Sequence, residues 1–362
     1  MSYCFVKVTT LSPLYLEDFY RRHPGLEAES YGNQHAALMA DAHVWADHFS
    51  TNLRRLGVEA YDIVCNAEPL QRAWAGEHGE DKEGPALVAR QIAALDPDVV
   101  FLHVGFTSYD EYVPLVREAV PGVRLVMGYV GVGFGEEYAG VFRKLDLMIA
   151  CHEGMRDQLL AHGANAHYLR HAFEHTLLDR LGSGHDFPRE DVFFAGSLVL
   201  SQGYHLERLE ILRRLVELGI EPAFHCRPVE ARRDVPFDLA ERLRPPLYGI
   251  GMLRALSRSR IGLNTHIDSV ERLAANVRLF EVTGVGACLL TDRKDNLSEM
   301  FELDTEVVAY ADARECAEKI RWLLGHPEER RAIAAAGQRR TLRDHTFERR
   351  AGQLHRLILK HL

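Results

Sequence analysis

Val99-Val100-Phe101-Leu102-His103-Val104 is apolar at odd and even positions alike, with one polar side chain near its end. A strand with one wet face alternates apolar and polar residues. A run apolar on both faces belongs to a parallel sheet covered by helices on each side. Similar runs recur at 3–8, 59–65, 124–130, 147–151 and 166–169, and helical patterns separate them at 34–56, 85–95, 110–119 and 155–162. The second half repeats the scheme. Strand-like runs stand at 191–195, 223–226, 261–264, 287–291 and 306–309, with helical stretches at 205–218, 252–257, 277–283 and 313–324. This alternation predicts an α/β protein of two doubly wound, Rossmann-like domains.

The boundaries follow from composition. Residues 1–174 form the first domain; 175–190, with Gly182, Gly184, Pro188 and several charges, read as a linker; 191–345 form the second domain, and 346–362 a closing helix. The whole stretch 327–362 is helical by pattern and rich in arginine. A length of 362 residues suits two domains. Hydrophobic residues at 47% and charged residues at 26% exclude a disordered or fibrous chain. The balance of 43 Lys+Arg against 52 Asp+Glu gives −9, which argues against a dedicated nucleic-acid binder. No apolar run reaches the ~18 residues of a membrane span, and no signal peptide is evident. The six cysteines, Cys4, Cys65, Cys151, Cys226, Cys288 and Cys316, form no C-x-x-C pair and read as reduced, mostly buried thiols. A cytoplasmic location is expected, with peripheral membrane contact left open by the basic last helix.

In doubly wound sheets ligands bind beyond the carboxyl ends of the strands, which sorts the motifs. Gly131-Val132-Gly133-Phe134-Gly135 follows a strand, but as G-x-G-x-G without an acidic ribose partner; it reads as a tight turn at the cleft sooner than as a phosphate loop. Asp96-Pro97-Asp98 precedes its strand, where a structural turn is expected. Nineteen histidines raise the question of a metal, yet no H-E-x-x-H occurs, and no metal site is expected. Neither a G-x-S-x-G elbow nor a P-loop is present.

The informative stretch is 247–292. Asn264 and His266 end a strand and so face the cleft. Asn276 stands at the start of the next helix, whose amides favour an anion such as a diphosphate. Arg278 in the first turn adds a guanidinium. Glu281, three residues on, lies on the same face and can accept from both hydroxyls of a ribose. Taken alone, Arg278 and Glu281 would be an ordinary surface pair.

The order of motifs around them resembles the donor domain of the CgeB-like glycosyltransferases, relatives of glycosyltransferase family 4 with the GT-B fold. The matching residues are Leu263 to His266, Asn276-Val277-Arg278-Leu279-Phe280-Glu281, Gly284-Val285-Gly286-Ala287, Leu289-Leu290-Thr291-Asp292, Glu306 to Tyr310, His326-Pro327-Glu328-Glu329-Arg330 and His345-Thr346-Phe347. Phe194-Ala195-Gly196-Ser197 resembles the family's first donor-domain strand. The resemblance spans about 191–357. One departure stands out: family 4 enzymes often carry two glutamates separated by seven residues, and here Glu281 fits the second while Leu273 holds the first position and Glu271 is out of register.

The resemblance implies metal-independent transfer of a sugar from a nucleotide-diphosphate sugar to the hydroxyl of a glycan, glycoconjugate or small-molecule acceptor. The nucleotide sugar is a co-substrate, and no cofactor is implied. It assigns Arg278, Asn276, Gly196 and Ser197 to the diphosphate, with Arg227 as a second phosphate group, Glu281 to the ribose, and Tyr248 and Gly249 to the base. Asn264 and His266 complete the nucleotide side. On the acceptor side, His103 near a strand end is the candidate base, or else a buried hydrogen-bonded histidine. Asn66, Gln71 and Trp74 are acceptor contacts or cleft packing, and Gly131 and Gly133 line the same side. An epimerase of the same fold and a non-catalytic nucleotide-sugar-binding protein are the competing readings.

Overall fold

Among the described residues every strand pairing is parallel, in two six-stranded sheets. The structure is a computed structural model and describes residues 2–182, 187–200, 204–228, 235–268 and 272–362. The first sheet contains β1 (Cys4–Thr9), β2 (Glu59–Val64), β3 (Val99–His103), β4 (Leu125–Val130), β5 (Leu147–Ala150) and β6 (Ala166–Tyr168), in the order β2-β1-β3-β4-β5-β6. Val99 to Leu102 are buried without alternation, as a strand covered on both faces requires. The second sheet contains β7 (Val192–Leu198), β8 (Ala223–Pro228), β9 (Leu243–Arg244), β10 (Ile261–Asn264), β11 (Cys288–Asp292) and β12 (Val308–Tyr310), in the order β12-β11-β10-β7-β8-β9. Strand order reverses between β1 and β3 in one sheet and between β7 and β10 in the other. Those two points are where the fold leaves a crevice at the carboxyl ends.

The chain divides into two units, Met1–Arg170 together with Phe347–Leu362, and His171–Thr346. The last helix, Phe347–His361, therefore packs as part of the first unit, whereas the sequence pattern had left it as a separate 346–362 segment. Phe347 meets the edge of Phe49 at 5.2 Å and 89° on the helix His48–Arg55, and Arg350 Nε donates to the Arg170 carbonyl at 3.1 Å. The expected linker, 175–190, begins with ordered helical structure through Leu178–Leu181.

Helices differ from expectation more than strands do. The single pattern at 34–56 is two helices, Tyr31–Ala40 and His48–Arg55. Between them Ala42, Val44 and Ala46 take φ of 54°, 55° and 32°, a left-handed turn built without glycine. Helices Pro13–Arg22 and Glu68–His78 were not anticipated; each opens with a proline in its first turn. The two-residue β9 is too short to leave a pattern.

In the second unit, the helix Arg278–Gly284 is wedged into the core from Leu279 onward. Gly262 lies under it because a Cβ there would come within 2.5 Å of Val282, and Gly284 is needed because one would come within 2.3 Å of the Phe173 ring. Thr283 and Thr341 join hydroxyls at 2.6 Å, tying this helix to Pro327–Asp344.

Candidate functional site

The crevice between β7 and β10 is closed underneath by a buried guanidinium. Arg208, in the first turn of helix Leu206–Glu217, donates from Nε to Thr265 Oγ1 at 2.8 Å, from Nη2 to the Thr265 carbonyl at 2.9 Å and from Nη1 to the Ser197 carbonyl at 2.7 Å. It thereby pins the end of β7 to the end of β10. Burial lowers its pKa to about 10, against the pull of Cys226, Asp292, Tyr310 and Asp268. Gly196 lies beside it: a Cβ there would meet the Phe194 ring at 3.0 Å and Arg208 Nη1 at 3.5 Å. The start of this helix is capped by Asp268, whose Oδ2 accepts from the amides of Leu206 at 2.8 Å and Glu207 at 3.3 Å.

From β10 a chain of side chains runs across three elements. Asn276 Nδ2 donates to Asn264 Oδ1 at 2.8 Å, and Asn264 Nδ2 donates to Thr291 Oγ1 at 2.9 Å. Thr291 Oγ1 donates to Asp292 Oδ1 at 3.2 Å, where His266 also donates from Nδ1 at 2.7 Å and from its backbone N–H at 3.1 Å. Lys294 Nζ stands 3.4 Å from the other carboxylate oxygen. Burial by itself would raise the Asp292 pKa; the His266 ring, Lys294 and the His266 amide outweigh it and hold the carboxyl below its ordinary value. Hydrogen bonds that all polarise toward one carboxylate reinforce each other. Among the described residues, the two ends of this chain, Asn276 Oδ1 and His266 Nε2, are buried with no hydrogen-bond partner, as is Asp268 Oδ1. Buried polar atoms are nearly always bonded, so three in one region mark a place built to meet a ligand's polar groups.

Arg278 and Glu281 come together as the spacing predicts. Arg278 Nη1 lies 2.7 Å from Glu281 Oε2, an ion pair by distance but not an aligned hydrogen bond, and it also rests against Met252 Sδ. Both side chains are partly exposed, at 20% and 11%, so they border the crevice and are not sealed in the core. Met252 lies one turn into the helix Gly249–Ser257, which Tyr248 precedes as its N-cap; Gly249 takes φ of 51°, which suits glycine. The structure thus gathers Gly196, Ser197, Tyr248, Gly249, Asn264, His266, Asn276, Arg278 and Glu281 on elements that meet at one end of the second sheet. Arg227 closes β8 at the same end, and its side chain lies outside the described residues, as does Glu271. Leu273 is described and half-buried and offers no carboxylate. No three His, Cys, Asp or Glu side chains converge as metal ligands among the described residues.

Arg208, Asp268 and Asp292 escaped the sequence reading as site residues. Asp292 had a signal, since it ends a strand beside the Asn264 strand. Arg208 had none, because it sits among other arginines of an amphipathic helix.

In the first unit His103 ends β3 at the point where strand order reverses. Its Nδ1 lies 3.0 Å from Thr9 Oγ1, and its ring stacks on Trp45 at 4.1 Å and 12°. Asn66, Gln71 and Trp74, expected as acceptor contacts or cleft packing, make contacts within the first unit. The Asn66 amide is engaged at both ends by one residue, accepting from the Leu11 N–H at 2.9 Å and donating to the Leu11 carbonyl at 2.7 Å. Gln71 is buried, donating to the Val64 carbonyl at 2.8 Å and accepting from Gln91 Nε2 at 2.8 Å. Trp74 is buried and stacks on His78 at 4.1 Å. These contacts are those of clamps and packing, one of the two readings the sequence offers. Gly131 is small because a Cβ would come within 2.6 Å of the Tyr129 hydroxyl. Gly133 follows in the same turn, which Phe134 anchors against Phe142 at 4.8 Å. Asp98 serves as a structural turn, accepting from the Cys4 N–H at 2.9 Å.

Comparison with known proteins agrees with this architecture. Residues 208–356 match a family described as glycosyl transferase-like. Among solved structures, HepE of Anabaena in complex with UDP and glucose aligns with a TM-score of 0.65 at 9% identity, covering 99% of this chain and 100% of the other. A glycosyltransferase from Rickettsia africae aligns at 0.61 with 11% identity over 99% and 98%. Sucrose-phosphate synthase of Thermosynechococcus elongatus aligns at 0.56 with 10% identity over 99% and 98%. No curated protein sequence matches the chain. The fold is that of the GT-B glycosyltransferases, and its second unit carries most of the match to a glycosyl transferase-like family.

Proposed function

We propose that the second unit binds a nucleotide-diphosphate sugar, with a uridine nucleotide as the first choice, and that the protein transfers the sugar to an acceptor hydroxyl without a metal. The observation that carries this reading is the polar chain from Asn276 to His266, open at both ends, beside the Arg278–Glu281 pair. The base is suggested by the complexes of HepE with UDP and with UDP-glucose. In the reaction the bond between the anomeric carbon and the diphosphate oxygen breaks, and the acceptor oxygen takes its place. Charge grows on the leaving diphosphate, and Arg278 with Asn276 is assigned to stabilise it. Glu281 is assigned to the ribose hydroxyls, Gly196, Ser197 and Arg227 to the phosphates, and Tyr248 and Gly249 to the base. His103 is assigned to receive the acceptor proton. The series of motifs around Arg278 supports the CgeB-like subtype, and a cytoplasmic location accords with a chain in which no described helix is long and apolar enough to cross a membrane.

Thermal unfolding with UDP, GDP, dTDP, ADP and CMP tests this. Ligand at ~100 times its Kd adds roughly 2.7 kcal/mol, a shift of a few degrees. UDP is expected to shift the wild type and to lose that effect in Arg278→Ala and Glu281→Ala; His103→Ala is expected to keep the shift and lose transfer. No shift with any nucleotide would overturn the donor assignment. Turnover of the nucleotide sugar to an isomer without acceptor would instead favour the epimerase reading.

A further inference from the structure

At the amino ends of the second sheet's strands, away from the site just described, lies a cavity of about 520 Å³. Its wall comes from the second unit alone: the turn at 178–182, the approach to β10 at 257–260, Val285-Gly286 ahead of β11, and one face of helix Pro327–Asp344. Arg189, Arg258, Arg260, Arg330 and Arg331 line it, and among the described residues lining it none is an aspartate or glutamate. Two acids near the wall are paired with its arginines: Asp191 with Arg260 Nη1 at 2.5 Å, and Glu328 at 3.9 Å from Arg331 Nη2.

Five guanidinium groups around one concavity repel each other, and the fold has accepted that cost. Arg330 is 5% exposed, and its Nη1 donates to the Leu323 carbonyl at 2.8 Å. Burial lowers its pKa, and Arg260, Arg331 and Arg189 push the same way. Arg260 Nε is buried with no hydrogen-bond partner among the described residues. Arg330 is the buried cation with no carboxylate partner among the described residues, which is expensive unless something anionic meets it. Guanidinium forks match phosphate oxygens two at a time, and a cavity of this volume falls in the ordinary range for small ligands.

We propose that this cavity binds a small anion carrying two or more phosphate groups, at a site separate from the nucleotide-sugar crevice. The whole of β10 lies between the two. Arg260 precedes the strand and Asn264 ends it, about 13 Å apart at the rise of an extended chain. The two are also connected. The helix Arg278–Gly284 begins with the residue assigned to the donor and is followed by Val285-Gly286 in the cavity wall. An occupant would therefore touch the far end of the element that presents Arg278.

Calorimetric titration with tripolyphosphate at fixed salt tests the proposal on the full chain. The wild type, the pocket variant Arg189→Glu/Arg331→Glu and the crevice variant Arg278→Ala form the comparison; Arg189 and Arg331 are exposed, so both substitutions are compatible with folding. Tripolyphosphate is expected to bind the wild type and Arg278→Ala alike, and the pocket variant at least tenfold more weakly, with weakening of all three as salt rises. The pocket variant is expected to keep the thermal shift given by UDP. The proposal is overturned if the pocket variant binds tripolyphosphate as the wild type does, or if binding is lost only in Arg278→Ala. It is also overturned if a single-stranded oligonucleotide binds through these arginines while tripolyphosphate does not. Since the readout is anion binding, failure of the nucleotide-sugar assignment would leave this result standing.

Discussion

Asp292 shows how one strand end organises a site. It receives His266 twice and Thr291 once through Oδ1, and its carboxyl is held below the ordinary value. A depressed carboxyl contributes stability that is complete above the unfolded pKa and is lost as pH falls through the folded one. Asp292→Asn keeps the shape and removes the charge. It is expected to cost about 1.5–3 kcal/mol at neutral pH, the range for hydrogen bonds to a charged group. Urea unfolding at pH 7 and pH 5 should show the full difference between wild type and variant, and below the free carboxyl value of 3.8 the gap should begin to narrow, closing only as pH falls through the lower folded value. A gap of constant size down to pH 3 would contradict the assignment of charge to Asp292. At this scale the sequence is legible where position implies exposure to the crevice: Asn264 at a strand end, Asn276 and Arg278 at a helix start. It is illegible where burial decides. Arg208 shares its helix with Arg213 and Arg214, which pair with Glu217 at the surface, and nothing local distinguishes it. Asn66 and Gln71 stay ambiguous in the sequence for the same reason, because a side-chain amide that clamps the backbone reads like one that meets a substrate.

The helix Arg278–Gly284 has seven residues, too few to be helical alone in water. Its order comes from packing, and Gly284 is the tightest point of that packing. Gly284→Ala would set a methyl group 2.3 Å from the Phe173 ring, which is itself 1% exposed. Overpacking of this kind costs about 1–3 kcal/mol. The variant is expected to unfold at lower denaturant and to bind nucleotide more weakly, because Arg278 and Glu281 ride on the displaced helix. Adding Phe173→Leu should return part of both losses; if the double variant is worse than Gly284→Ala alone, the ring is not the obstacle. Among elements, the strands were legible because apolar runs flanked by helical patterns have few other readings. The break at 41–47 was not. It uses left-handed Ala42, Val44 and Ala46 where glycine or asparagine would have announced a turn, so the helical period ran through it unmarked.

At the scale of the whole molecule, the chain leaves the first unit after Arg170 and returns to it at Phe347. The amphipathic pattern of 347–361 was visible in the sequence, but a pattern shows that a helix has a buried face and not what covers it. Phe347, Ala351, Leu354 and Ile358 are that buried face. At roughly 1.5–3 kcal/mol for each of the three large side chains, losing them removes an amount comparable with the 5–15 kcal/mol that holds a domain folded. Truncation after Thr346 is therefore expected to unfold the first unit, although every strand of its sheet remains in the chain. The second unit keeps all of its own elements and should survive. Limited proteolysis with mass readout separates the outcomes. The truncated protein should lose its first 170 residues to the protease and retain a core beginning near His171, and a nucleotide that binds the crevice should protect that core further. A first unit as resistant after truncation as before would mean that the last helix is an appendage to that fold and not one of its walls.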